Sequence, residues 1–220
     1  MLSQKSKGRD FSVIAIEGPD YSGKSTIAEF VTNKFNQSNT LIKHNREFAH
    51  HYKRPGGNCA CDSLREKVTN VEMDSDTRQV LAFAEEILFN YSNMQHFELH
   101  ILDRFNPISG QIYGPDSTKK YWKFLIESEI VKTPDLTIFI STPLDILLKR
   151  SIERNSKNDV MDQYFCSKAE RIVKNYNDLK EDIWFNKYFK HVTIHNNGLL
   201  DDVQLLVYNT IELELGRKNV

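Results

Sequence analysis

The chain of 220 residues contains 3 cysteines, 9 glycines and 6 prolines. Cys59, Cys61 and Cys166 are an odd set in a chain long enough to fold without staples, so they read as reduced thiols and exclude a disulfide framework. His50 and His51 upstream of Cys59-x-Cys61 match none of the common zinc spacings, which leaves a plain loop there. Breakers this scarce leave no Pro/Gly/Ser linker between composition regimes, and no internal repeat or low-complexity tract occurs. One domain over 1–220 is expected, with 1–10 as a flexible N-terminus. Net charge is −1 and the pI about 6.7, so the broad positive field needed for non-specific nucleic-acid or membrane binding is lacking. No apolar run approaches the roughly 18–20 residues of a membrane span, and MLSQKSKGRDF lacks the apolar core of a signal peptide. The expectation is a cytoplasmic protein with neither nucleic acid nor membrane as partner.

What is present suits a compact core: 40% hydrophobic and 27% charged residues, enough to bury roughly 70% of the unfolded surface. Short apolar runs at 11–17, 40–43, 99–102, 136–140 and 191–194 read as strands. Between them, apolar residues recur every three to four positions, as in Ile27, Phe30, Val31 and Phe35, or Val80, Phe83, Ile87, Tyr91 and Met94. Further helices are predicted at 119–130, 144–153, 160–177 and 200–215. The alternation predicts an α/β fold, a five-stranded parallel sheet flanked by helices, whose ligands collect beyond the carboxyl ends of the strands.

The strand-like SVIAIE runs into Gly18-Pro-Asp-Tyr-Ser-Gly23-Lys24-Ser25-Thr26 and then into the amphipathic IAEFVTNKF. G-x-x-x-x-G-K-S therefore stands between a strand and a helix, the context a phosphate loop requires. Backbone N–H groups of Gly18, Tyr21, Ser22, Gly23 and Thr26 are placed to curl round phosphate oxygens, and the helix N-terminus adds positive potential. Lys24 is expected to reach the β and γ phosphates of a bound nucleoside triphosphate, and the Ser25 hydroxyl to coordinate Mg²⁺. The loop recognises a triphosphate and leaves the acceptor open.

IEGPDYSGKST resembles the opening of the thymidylate kinases. The likeness continues in order through Lys53-Arg54-Pro55, Leu81-Ala-Phe83-Ala84, Asp103-Arg104-Phe105, and PDLTIFIS with a helix ending Lys149-Arg150, from about residue 11 to about 215. The resemblance implies ATP- and Mg²⁺-dependent phosphorylation of a deoxynucleoside 5′-monophosphate, dTMP to dTDP first, by a homodimer. It places Asp20 against the acceptor's sugar, Lys53 and Arg54 on the acceptor side, Phe83 against the base and Arg104 on the acceptor phosphate. Asp103, closing the apolar run LHIL, would hold Mg²⁺ with Ser25.

Several positions depart from the family pattern. Ile87 stands where an arginine usually faces the thymine carbonyl, which admits other pyrimidine or modified deoxynucleotides. After Asp-Arg, the stretch Asn106 to Gly114 keeps Ser109 but shifts the aromatic, so Gln111 and Tyr113 are candidate base or sugar contacts, with a turn-forming role as the alternative. The arginine that neutralises the transferred phosphoryl is missing from both family positions, occupied here by Tyr21 and Val160. Arg150, Arg154 and Lys157 are the substitutes, in or beside a lid at about 150–160. Two other classes stay open: a deoxynucleoside kinase, which would need a base such as Glu47, and a nucleotide-binding module that has lost catalysis.

Overall fold

The structure is a computed structural model. It describes residues 11–38, 42–46, 98–114, 116–153 and 160–216, and their side chains apart from those of 42–46, 117 and 160–164. Outside the described residues lie Glu47, His50, His51, Lys53, Arg54, Cys59, Cys61, Phe83, Ile87, Arg154, Lys157, the stripe from Val80 to Met94 and the segment 1–10.

Five strands, β1 (Ser12–Glu17), β2 (Ile42–Arg46), β3 (Leu99–Asp103), β4 (Leu136–Ser141) and β5 (His191–His195), form one sheet in the order β2-β3-β1-β4-β5. All pairs are parallel, with Ile16 opposite both Asp103 and Ile138. The continuous apolar runs are explained by burial on both faces. Alternate residues of β1 and β4 go to opposite sides: Ile14, Ile16, Ile138 and Ile140 pack with Ile27, Val31, Val207 and Ile211, whereas Val13, Ala15 and Phe139 pack with Ile108, Phe165, Ile172 and Phe185. Side chains such as Ile14 and Ile16, fully buried, each contribute about 2 kcal/mol by leaving water.

The first layer comes from α1 (Lys24–Gln37) and a C-terminal helix at Leu200–Gly216. Opposite them lie α2 (Asn106–Tyr113), α3 (Asp116–Glu127), α4 (Leu144–Glu153), α5 (Val160–Glu181) and α6 (Ile183–Tyr188), so the C-terminal helix is α7. The expected helix at 119–130 starts earlier and stops at Glu127. Glu129 turns left-handed at φ 57°, and the Val131 N–H bonds back to the Leu125 carbonyl at 3.0 Å, closing the helix end. The short helices α2 and α6 were not predicted. Pro107 in the first turn presets α2, and the Asp182 carboxylate caps α6 by accepting from Phe185 N–H at 2.9 Å.

Because β1 lies between β3 and β4, the chain leaves it toward β2 and β3 on one side and later fills β4 and β5 on the other. The carboxyl ends of β1, β3 and β4 therefore meet at the reversal point, where crevices form in such sheets.

Candidate phosphoryl-transfer site

The phosphate loop leaves β1 at Gly18 and enters α1 at Lys24. Gly18 has φ 152°, and a Cβ there would stand 2.6 Å from the Ile140 carbonyl oxygen and 2.9 Å from Ser22 Oγ, so only glycine lets the loop lie against β4. Gly23 is the left-handed N-cap of α1 at φ 88° and gives the helix no side-chain cap. Among the described residues the first-turn N–H groups are thus without a capping side chain, as an anion site requires. Ser22 is fully buried and its Oγ has no hydrogen-bond partner among the described residues.

Lys24 is buried; its Nζ donates to the Pro19 carbonyl at 3.2 Å and lies 3.5 Å from Asp20 Oδ1. Burial, then repulsion from Arg104, pulls its ammonium below the usual lysine value, against the attraction of Asp20, Asp103 and Glu17. Asp20 also accepts from Arg104 Nη2. Burial alone would raise its carboxyl; the charges of Arg104 and Lys24 reverse this and hold it below the usual carboxylate value.

Arg104 follows β3 in left-handed backbone, φ 77°, with its N–H on the Ile16 carbonyl at 3.1 Å. A non-glycine residue held there costs about 1–3 kcal/mol, and such strain concentrates where a side chain must be aimed. Its Nη1 donates to the hydroxyls of Tyr113 and Tyr176 at 3.2 and 3.1 Å, and its guanidinium lies 5.2 Å from the Tyr113 ring. Tyr176 in turn donates to Glu17 Oε2 at 3.2 Å, while Glu17 Oε1 accepts the Phe105 N–H at 2.6 Å. Burial first, and Tyr113 second, push the Tyr176 hydroxyl well above its ordinary value, so it stays a donor. Five side chains from β1, the loop, the turn after β3, α2 and α5 thus form one connected polar network.

The structure brings Gly18, Asp20, Tyr21, Ser22, Gly23, Lys24, Ser25, Thr26, Asp103, Arg104 and Tyr113 to this one end of the sheet. Asp103 is buried beside β1 and acts on Lys24 through its charge. Arg150 reaches the loop from α4, donating from Nη1 to the Tyr21 carbonyl at 3.1 Å, and the Tyr21 ring packs 5.2 Å from Phe165 of α5. The Gln111 amide donates to the Lys119 carbonyl at 3.1 Å, tying α2 to α3. Ser109 is buried in α2 and its Oγ has no hydrogen-bond partner among the described residues.

Glu17 and Tyr176 were not singled out from the sequence. Glu17 was detectable as a carboxylate closing an otherwise apolar strand, since buried charges are kept only where they are paired. Tyr176 sits on the apolar stripe of α5, where nothing local separates it from a core ring. Among the described residues no group of three or more His, Cys, Asp or Glu could hold a metal ion, and no helix is long and apolar enough to cross a membrane. Cys166 is a free thiol.

Comparison with known proteins places the chain in a family. The thymidylate kinase family model matches residues 16–191. A thymidylate kinase of Finegoldia magna is 33% identical over 227 aligned positions, covering 94% of this chain and 98% of its own. One from Acholeplasma laidlawii is 22% identical over 214, covering 90% and 97%. The crystal structure of a thymidylate kinase from Ehrlichia chaffeensis superimposes with a TM-score of 0.60 at 18% identity, over 91% of this chain and 98% of that one, which speaks for the shared fold. With a family match spanning most of its length and a relative this similar, the chain belongs to the thymidylate kinase family and is a nucleoside monophosphate kinase.

Proposed function

We propose that the chain transfers the γ-phosphoryl group of ATP to dTMP, giving dTDP and ADP. The observation that carries this reading is the half-buried Asp20–Arg104 pair standing directly beside an uncapped phosphate loop. It offers a fixed cation for an acceptor phosphate next to a cradle for a donor triphosphate. The fit to Mg²⁺ rests on donor chemistry, since the Ser25 hydroxyl in the first turn of α1 and the Asp103 carboxylate are oxygen ligands of the kind a hard cation takes. Mg²⁺ bound there would neutralise charge on the β and γ oxygens.

Arg104 forks onto the acceptor phosphate and holds it in line, with Tyr113 and Tyr176 fixing the guanidinium plane. An acceptor phosphate oxygen bonds to the γ-phosphorus as the bond to the β–γ bridging oxygen breaks, so no base and no covalent enzyme intermediate is needed. Lys24 exchanges its Pro19 and Asp20 partners for the β and γ oxygens. Arg150, anchored on the Tyr21 carbonyl, supplies the positive charge that neither Tyr21 nor Val160 can. Closure of the site keeps water from competing for the γ-phosphoryl. The active form is a homodimer, as the resemblance implies.

A coupled ADP-release assay with Mg-ATP against a panel of deoxynucleoside monophosphates and free deoxynucleosides tests the reading. Fastest turnover with dTMP is expected. Reaction with free nucleosides alone would replace the reading with a nucleoside kinase, and no turnover with any acceptor would leave a binding module.

A further inference from the structure

Asn196 lies outside the groups named so far, in the turn between β5 and α7, and it is fully buried. Its backbone N–H bonds to the Ser141 carbonyl at the end of β4 at 2.7 Å, and its side-chain amide donates to the Ser22 carbonyl of the phosphate loop at 2.8 Å. This contact spans 174 positions of sequence. It ties the loop to two neighbouring strand ends at once.

We infer that Asn196 is a positioning residue for the donor triphosphate, holding the Ser22–Gly23 peptide so that the Gly23 N–H is aimed at bound phosphate. In a planar trans peptide the carbonyl and the following N–H point in opposite directions. Fixing the Ser22 carbonyl on Asn196 therefore turns the Gly23 N–H away from β5. Among the described residues no group accepts that N–H, and α1 has no side-chain cap. Gly23 could otherwise rotate freely, because its left-handed φ of 88° carries no Cβ restraint. The same amide stands 3.2 Å from where a Gly23 Cβ would sit, with Leu200 Cδ1 at 3.5 Å, so the turn also fills the space behind the peptide. Without a donor at position 196 the buried Ser22 carbonyl loses its partner, and the peptide is released to flip.

The inference rests on the donor reading of the loop. Its test is titration calorimetry of the full chain with Mg-ADP and, separately, with dTMP, comparing wild type with Asn196→Asp and Asn196→Ala. Loss of one well-placed donor predicts Mg-ADP binding weakened about tenfold, with dTMP binding unchanged. Unchanged Mg-ADP binding overturns the inference, as does an equal loss for both ligands with a lowered melting temperature, which would mark a purely structural role. Wild-type protein that binds dTMP but no Mg-ADP would instead overturn the donor reading beneath it. Should both variants fail to fold, the ¹⁵N–¹H resonance of Gly23 in the wild type reads the same contact. A large shift on adding Mg-ADP is expected, and an unmoved Gly23 resonance while other loop amides shift contradicts the proposal.

Discussion

The two halves of the site are built from different materials. On the side proposed for the donor, main-chain geometry makes the cradle: Gly18 pressed against Ile140, Gly23 in left-handed backbone, and an α1 N-terminus with no side-chain cap among the described residues. On the side proposed for the acceptor, side chains from distant segments make it: Glu17, Asp20, Arg104, Tyr113 and Tyr176 joined by hydrogen bonds and an ion pair. A backbone site recognises any polyphosphate and tolerates no added bulk. A side-chain network holds one guanidinium in one plane, and each member depends on the others.

The comparison breaks most sharply at Lys24, the side chain proposed to reach the donor's β and γ oxygens. Lys24→Ala is expected to lower phosphoryl transfer by about 10³-fold, read as kcat/KM, because it removes the buried cation from the cradle. Turnover near wild type would sink the loop's role. Arg104→Ala is expected to cost about 10²-fold and to fall on the acceptor's kinetics, leaving Mg-ADP affinity unchanged. A double-mutant cycle between Arg104 and Asp20 should show coupling of about 1 kcal/mol or more, whereas additivity within about 0.5 kcal/mol would mean that the acceptor side is no network.

Gly18→Ala should act on shape alone. Its Cβ would meet the Ile140 carbonyl oxygen at 2.6 Å, so a loss of about 1–3 kcal/mol is expected in urea unfolding. Unaltered stability would mean that the loop has room to move off β4. The smallest effect concerns acid. Asp20 has a lowered value in the fold, so its ionised form stabilises the protein above the unfolded carboxylate value of about 3.9. That contribution fades as pH falls through the lower folded value. Urea midpoints of wild type and Asp20→Asn should therefore converge below about pH 4, and a gap that widens there would contradict the assignment.

The same contrast explains what could be read from the sequence. The five strands were legible because burial on both faces leaves continuous apolar runs, and the phosphate loop because its spacing is a local backbone requirement. Asp103 and Arg104 were legible through the ordered resemblance. Helix α2 was not, since Asn106 to Tyr113 carries Pro107 and Gly110 and is held by tertiary packing, with six of its eight residues buried. Gln111 could not be separated from a ligand contact by residue type alone; its partner, the Lys119 carbonyl, is defined by how α2 meets α3. Tyr176 and Asn196 act across 159 and 174 positions of sequence, distances over which no local pattern carries information.

The most direct test of the account follows the phosphoryl group itself. With γ-labelled ATP, Mg²⁺ and dTMP, chromatography of the products should show the label in the β-phosphate of dTDP, formed in equal amount to ADP. Label released only as inorganic phosphate, or dTDP unlabelled while ATP is consumed, would contradict direct transfer between the two halves of the site.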